Sequence, residues 1–146
     1  MKKSKPSLRS LAGMTSQIGL LLAKQGQAVI DLQNKHIKSL GAYTGDFTPS
    51  AVKEALICHN DLASIDDLDR FKELRRIIAN NNYISRVRLA LDRLETLDLS
   101  NNALTTIPNL VALPKLKVLN LLSNNIREVS IHFLPVAECL EKLNLA

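Results

Sequence analysis

The residues of this chain that could take part in catalysis or metal binding are few and far apart. No metal-ligand or nucleophile spacing links the two cysteines and three histidines, which are Cys58, Cys139, His36, His59 and His132. The short acidic run of Asp66, Asp67 and Asp69 is more typical of a solvated loop than of a metal site. The sequence therefore predicts no enzyme activity, cofactor, metal or small-molecule substrate. Two cysteines without a pairing pattern indicate reduced thiols in an intracellular protein.

Asparagine is the polar residue that recurs at a fixed spacing. Asn102 and Asn124 stand 22 positions apart, and each lies three residues after a Leu-x-Leu pair. A side-chain amide both donates and accepts hydrogen bonds, so it can satisfy backbone groups in a buried turn. Leaving one such group unpaired costs about 1–3 kcal/mol. We therefore predict a structural role in turns for Asn102 and Asn124, and for Asn60 and Asn82, which occupy matching places upstream.

The apolar residues around these asparagines repeat as well. The frame Leu94, Leu97, Leu99, Leu104 and Ile107 recurs 22 positions later as Leu116, Leu119, Leu121, Ile126 and Val129. This L-x-x-L-x-L-x-x-N-x-L pattern is typical of leucine-rich repeats. On it the chain is identified as a member of the short, 22-residue class of intracellular leucine-rich repeat proteins. The resemblance implies a right-handed α/β solenoid with a parallel concave sheet, an irregular or short helical convex side, and a role in binding.

Tracing the frame along the chain gives five repeats and an incomplete sixth. They begin at residues 27, 52, 74, 94, 116 and 140. In the first repeat Lys35 replaces the asparagine, and Asn34 comes one place early. The run 48–50 (Thr-Pro-Ser) resembles a helix start, but the position of Asn60 favours a strand from Val52. The chain stops at Ala146, inside the sixth strand, which predicts either a truncated product or a partner that covers this end.

The N-terminal segment differs from the repeats in charge. The net charge is +5, and residues 1–30 carry five basic residues and no acidic one. We predict a basic tail and capping helix over 1–26, followed by a repeat domain over 27–146. A mitochondrial transit peptide and a basic arm that contacts RNA remain alternatives. The apolar run Ile18–Ala23 is too short to span a bilayer, so no membrane association is predicted.

Outward-facing strand residues are the candidate binding site. If alternate residues of each strand face outward, Leu56, Cys58 and Ile78 form an exposed apolar patch, and such patches mark binding sites. We predict a protein partner on this concave face. The predicted contact residues, including a polar rim, are Glu54, Leu56, Cys58, His59, Arg76, Ile78, Asn80, Asn81 and Asp98. Alternatively, the N-terminal segment covers the patch, or the register is off by one, which would exchange the two faces.

A second surface is basic. The stretch Arg70–Arg93 holds seven basic residues against two acidic ones, Glu73 and Asp92, with Asp69 just before it. It could contact RNA phosphates, or it could be a solvated convex face.

Within the family, residues 20–107 resemble the leucine-rich A-prime proteins of the spliceosomal U-two snRNP. The resemblance rests on a helical lead-in, the opening strand at 30–32 (Ile-Asp-Leu), the long connection Leu40–Ser50, and the run 71–76 leading to Asn80, Asn81 and Asn82. It implies a nuclear protein whose concave face holds a helix of an RNA-recognition-motif protein, with RNA alongside. The chain departs from that family by ending before its closing cap. A phosphatase regulatory subunit, a cytoskeletal or axonemal adaptor, and a cytoplasmic or mitochondrial location remain alternatives.

Overall fold

Six short strands, each hydrogen-bonded to the next in the chain, make up one parallel sheet. The computed structural model describes residues 28–45, 47–129 and 139–145. The strands are β1 Ala28–Asp31, β2 Val52–Leu56, β3 Arg76–Ile78, β4 Thr96–Asp98, β5 Val118–Asn120 and β6 Lys142–Asn144. Two neighbouring parallel strands need a connection that brings the chain back to the end of the sheet at which the first strand began. The predicted solenoid of stacked strands is therefore confirmed.

The strand register follows the repeat frame. Ala55 of β2 stands opposite Ile77 of β3, which stands opposite Leu97 of β4, and all three side chains are fully buried. The residues on either side of them in each strand face the other way and are at least partly exposed. The strand predicted from Val52, rather than a helix, is confirmed.

The segments that return from one strand to the next are mostly irregular. They include a helical turn, α1 (Gly41–Thr44), and two 3-10 helices, Asp66–Arg70 and Leu110–Ala112. Each 3-10 helix buries a leucine, Leu68 or Leu110, toward the sheet. The core between sheet and return segments is aliphatic, with Phe47 and Phe71 as its largest fully buried side chains. The prediction of an irregular, partly helical return side is confirmed.

A turn with a left-handed residue follows each of the first five strands. The backbone φ angle is 56° at Asn34, 54° at His59, 57° at Asn81, 53° at Asn101 and 55° at Ser123. Four of these residues come immediately before the recurring asparagines, and Asn34 comes before Lys35. The conformation favours asparagine over most other residues. Since Asn34 holds this conformation in the first turn, Lys35 takes the position that asparagine has in later repeats, as the sequence predicted.

The predicted tail and capping helix over 1–26 lie outside the described residues. Within the described ranges, no helix has the length and apolar character needed to cross a membrane.

Candidate functional site

The outward-facing side of the sheet, hereafter the open face, is organised in three columns. Residues of neighbouring strands stand side by side in the first two columns, and the third follows the strand ends. The columns are Val29, Glu54, Arg76, Thr96 and Val118; Asp31, Leu56, Ile78, Asp98 and Asn120; and Gln33, Cys58, Asn80, Ser100 and Leu122. The predicted contact residues on the strands and just after them all lie in these columns, and His59 and Asn81 lie in the turns beside them.

The centre of the open face is an apolar pair. Leu56 and Ile78 are paired residues of β2 and β3, and both are half-buried. The prediction of an exposed three-residue patch is wrong for Cys58, which is only 7% exposed. Its thiol donates a hydrogen bond to Gln33 Oε1 at 3.0 Å, and burial raises its pKa. The apolar surface is therefore formed by Leu56 and Ile78, and the buried Cys58 does not contribute to it.

The polar residues around this pair differ in how freely they can meet a partner. Arg76 and His59 are exposed, whereas Glu54, Asn80 and Asn81 are half-buried. Arg76 forms no ion pair with any other described residue. His59 and Asn81 hold the left-handed turn positions, so the turn constrains their backbones independently of any binding role.

Carboxylates stand above and below the apolar pair in the same column. Asp31 Oδ1 accepts hydrogen bonds from the backbone and side-chain nitrogens of Gln33, at 3.3 and 3.1 Å. Asp98 Oδ1 accepts from the backbone nitrogen and hydroxyl of Ser100, at 2.9 and 2.7 Å. Asn120 makes the same backbone contact with Leu122, at 3.3 Å. In both aspartates Oδ2 makes no hydrogen bond within the described ranges, so it is available to a ligand.

The recurring asparagines tie each turn to the repeat before it. Asn82 Oδ1 accepts from the backbone nitrogen of Leu62 at 3.1 Å, while its Nδ2 donates to the carbonyls of Ala79 and Ile57, at 3.1 and 3.0 Å. Asn60, Asn102 and Asn124 make the corresponding bonds. Asn60 and Asn82 are buried, and Asn102 and Asn124 are half-buried. These side chains form a ladder along the solenoid, and they satisfy backbone groups that the turns leave unpaired.

The comparison with known families agrees with this geometry. A family model for leucine-rich repeats in two copies matches residues 92–135, which include the clearest pair of repeats. The fold is a leucine-rich repeat solenoid. None of the curated proteins compared with the chain matches it. Leucine-rich repeats are generally non-catalytic modules that mediate protein–protein interaction.

Ion pairs between neighbouring repeats of the solenoid engage part of the basic stretch. Glu73 meets Lys53 Nζ at 2.8 Å and Arg93 Nη1 at 2.7 Å. The Lys53 hydrogen bond is the main reason that the pKa of Glu73 lies below its usual value, with Arg93 adding to the effect.

A second trio repeats this arrangement one strand further on. Glu95 meets Lys117 Nζ at 3.0 Å and Arg75 Nη1 at 3.1 Å. The Lys117 contact is the main cause of the lowered pKa of Glu95. Arg75 and Arg93 therefore each share a glutamate with a lysine, and each trio keeps one net positive charge.

The acidic run joins two return segments of the solenoid. These residues are at least partly exposed to solvent, as predicted, but they lie in the 3-10 helix Asp66–Arg70 rather than in a loop. Asp66 Oδ1 accepts from the backbone nitrogen of Arg88 at 3.0 Å, and Asp69 Oδ1 accepts from that of Ala90 at 2.7 Å. Their partners lie 22 and 21 residues ahead, so the repeat period was the signal that could have revealed these contacts.

Metal-binding residues do not gather on the described part of the solenoid. Across the described ranges, no group of three or more histidine, cysteine, aspartate or glutamate side chains is arranged to hold an ion.

Proposed function

We propose that this solenoid is a non-catalytic scaffold that holds a protein partner on its concave, open face. The observation that carries the proposal is the apolar pair Leu56 and Ile78. These side chains stand in a column otherwise occupied by aspartate and asparagine, at positions where solvent favours polar residues. Apolar side chains surrounded by a polar rim are the usual anatomy of a protein-binding surface.

The partner we propose is an RNA-recognition-motif protein of a spliceosomal ribonucleoprotein in the nucleus, which presents a helix to the open face. The support is the resemblance to the A-prime family over residues 20–107. Segments that carry this resemblance also supply open-face residues. The opening strand supplies Asp31, and the run 71–76 with the asparagines after it supplies Arg76 and Asn80. In this proposal RNA reaches the complex through the partner.

Direct RNA contact by the described basic stretch is the weaker alternative. Arg75 and Arg93 already pair with Glu95 and Glu73, which reduces the positive charge available to phosphates. The basic N-terminal arm lies outside the described residues, and its contact with RNA stays a prediction.

Affinity capture from an extract of the source cell tests the proposal. The bait is the whole chain, compared with a Leu56→Arg/Ile78→Arg variant. The control is Val111→Arg, which changes an exposed apolar residue of the 3-10 helix Leu110–Ala112 on the return side. All three baits are expected to give the same circular dichroism spectrum, because neither Leu56 nor Ile78 belongs to the buried core. Mass spectrometry then identifies the proteins that differ.

Each outcome of the capture has a defined meaning. Recovery of RNA-recognition-motif proteins by the parent and the control, but not by the double variant, would support the proposal. Recovery of a phosphatase or of cytoskeletal proteins in that pattern would replace the partner and keep the site. Identical proteins on all three baits would exclude the open face as the binding site.

A further inference from the structure

We propose that the segment bound on the open face is an amphipathic helix with a basic residue at each end of its apolar stripe. This inference rests on the proposed function and specifies the chemistry of the partner. It is carried by the order of side chains in the central column, in which Asp31, Leu56, Ile78 and Asp98 occupy four successive strands.

The spacing of the column fits a helix that lies across the strands. Neighbouring strands are about 4.8 Å apart, so Asp31 and Asp98 are separated by about 14 Å along the column. An α-helix rises about 1.5 Å per residue, and its positions i, i+3, i+7 and i+10 therefore advance by about 4.5, 10.5 and 15 Å. Those positions also share one face of the helix. A single stripe of ten to eleven residues can thus meet all four strands in turn.

The aspartates at the two ends of the column predict a basic residue at each end of that stripe. Asp31 and Asp98 each keep Oδ2 free of hydrogen bonds to described residues, and both are half-buried. A lysine or arginine at i and at i+10 would meet these oxygens, while apolar residues at i+3 and i+7 would meet Leu56 and Ile78. Partly buried carboxylates attract cations more strongly than carboxylates in open solvent.

The neighbouring column adds one charge of each sign. Glu54 and Arg76 lie beside Leu56 and Ile78 on β2 and β3. Within the open-face columns of β1 to β4, Asp31, Glu54 and Asp98 make three carboxylates against the one guanidinium of Arg76, since Lys53 of β2 pairs with Glu73. This balance disfavours nucleic acid on the open face. An acidic residue at the flank of the helix would complement Arg76.

Substitutions that keep the structural role of the aspartates test the inference. Asn120 holds the same column position and makes the same backbone hydrogen bond as the aspartates. Asp31→Asn/Asp98→Asn therefore removes two charges and retains an acceptor for each bond. The matched control is Asp67→Asn/Asp92→Asn, which removes two charges from exposed residues away from the open face. A third variant is Leu56→Arg/Ile78→Arg.

Two synthetic peptides serve as probes for the whole chain and its variants. Both are 16-residue, alanine-rich helices, stapled on the side opposite the stripe, with leucine at i+3 and i+7. One carries lysine at i and i+10, and the other carries glutamine at those two positions. Fluorescence anisotropy measures the Kd of each peptide at 50 mM and at 500 mM salt.

At 50 mM salt we expect Asp31→Asn/Asp98→Asn to weaken binding of the lysine peptide by about 5-fold, as two surface ion pairs would give. The control pair is expected to leave its Kd unchanged, and the difference should fade at 500 mM salt because the charges are screened. The glutamine peptide should bind the parent and the Asn variants equally, and Leu56→Arg/Ile78→Arg should abolish binding of both peptides.

Three results would overturn the inference. The first is equal binding of the lysine peptide to the parent and to Asp31→Asn/Asp98→Asn. The second is equal loss in the control pair, and the third is no binding of the lysine peptide to the parent. Suppose that the first result were found and that Leu56→Arg/Ile78→Arg still removed peptide binding. The open face would then bind helices without a preference for basic residues at their ends. The capture experiment decides the proposed function independently of the peptides.

Discussion

Two neighbouring asparagines in one turn illustrate how differently the same residue type can act in this fold. Asn81 takes the left-handed backbone conformation, with φ at 57°, whereas Asn82 has its side chain buried and hydrogen-bonded to two repeats. Asn81 is needed for its backbone, and glycine could replace it. Asn82 is needed for its amide, which only a side chain of the same shape and polarity could supply.

We expect Asn82→Ala to lower the free energy of unfolding by at least about 2 kcal/mol, because the substitution leaves buried backbone groups such as the Leu62 N–H without partners. The control Asn81→Gly should change it by no more than about 0.5 kcal/mol. Urea denaturation followed by circular dichroism measures both. Equal shifts of the two midpoints would contradict the distinction between the two roles.

The burial of Cys58 shows what sequence reasoning misses at the residue scale. The repeat frame predicts an outward position for Cys58, two residues after Leu56. Its side chain is nevertheless covered, because Gln33 of the imperfect first repeat reaches across to its thiol. Ser100 is also buried, and its backbone nitrogen and hydroxyl both donate to Asp98. Such contacts depend on side-chain conformations, which alternation along a strand does not determine.

At the scale of the strand, a shift of one residue separates core from surface. Leu97 of β4 and Leu119 of β5 are fully buried, while Val118, next in sequence to Leu119, lies half-buried on the open face. The sequence predicted this alternation because the frame L-x-L has the period of a strand.

We expect Leu97→Ala to cost about 2–5 kcal/mol of unfolding free energy, since it leaves a cavity in a core that few side chains can move to fill. Val118→Ala should cost about 1 kcal/mol or less, because part of the side chain is already in water. Thermal or urea denaturation of the two variants gives the comparison. A larger loss for Val118→Ala would mean that the faces are assigned the wrong way round.

The ion pairs that flank the strands make stability depend on pH. The pKa values of Glu73 and Glu95 are lowered in the folded chain, chiefly by Lys53 and by Lys117. A carboxylate whose pKa is lowered on folding stabilises the fold above its ordinary pKa, which is about 4. That contribution is lost as the pH falls through the lowered value.

We therefore expect the urea midpoint to fall as the pH is lowered below about 4, with the glutamates becoming protonated. At low salt the urea midpoint of Glu73→Gln/Glu95→Gln should fall less, because the two titrating carboxylates are gone. The exposed control Glu128→Gln should show the same fall as the parent. Indistinguishable pH profiles of the parent and the double variant would show that these ion pairs contribute nothing to stability.

At the scale of the whole molecule, the solenoid is held together by contacts between neighbouring repeats. The asparagine ladder, the two glutamate-centred trios and the bonds of Asp66 and Asp69 all join residues about one repeat apart. Such a fold is predictable from its period, which explains why the strand order and register could be derived from the leucines. The sequence did not reveal which acidic and basic side chains pair across repeats, because each of them has several oppositely charged residues about one repeat away in the chain.

The same stacking creates the candidate site. Leu56 and Ile78 are 22 residues apart in the chain and become neighbours only because β2 and β3 pair. We propose that a protein partner is held on the open face that contains them.

Photo-crosslinking tests this claim most directly. A benzoyl-phenylalanine replaces Asn80, beside the apolar pair, or Val111 on the return side, which is 66% exposed. In extract of the source cell, we predict a discrete crosslinked protein from position 80. Excess parent chain should compete it away, and excess Leu56→Arg/Ile78→Arg chain should not. A competable crosslink from position 111 alone would contradict binding on the open face and place the partner on the opposite side of the solenoid.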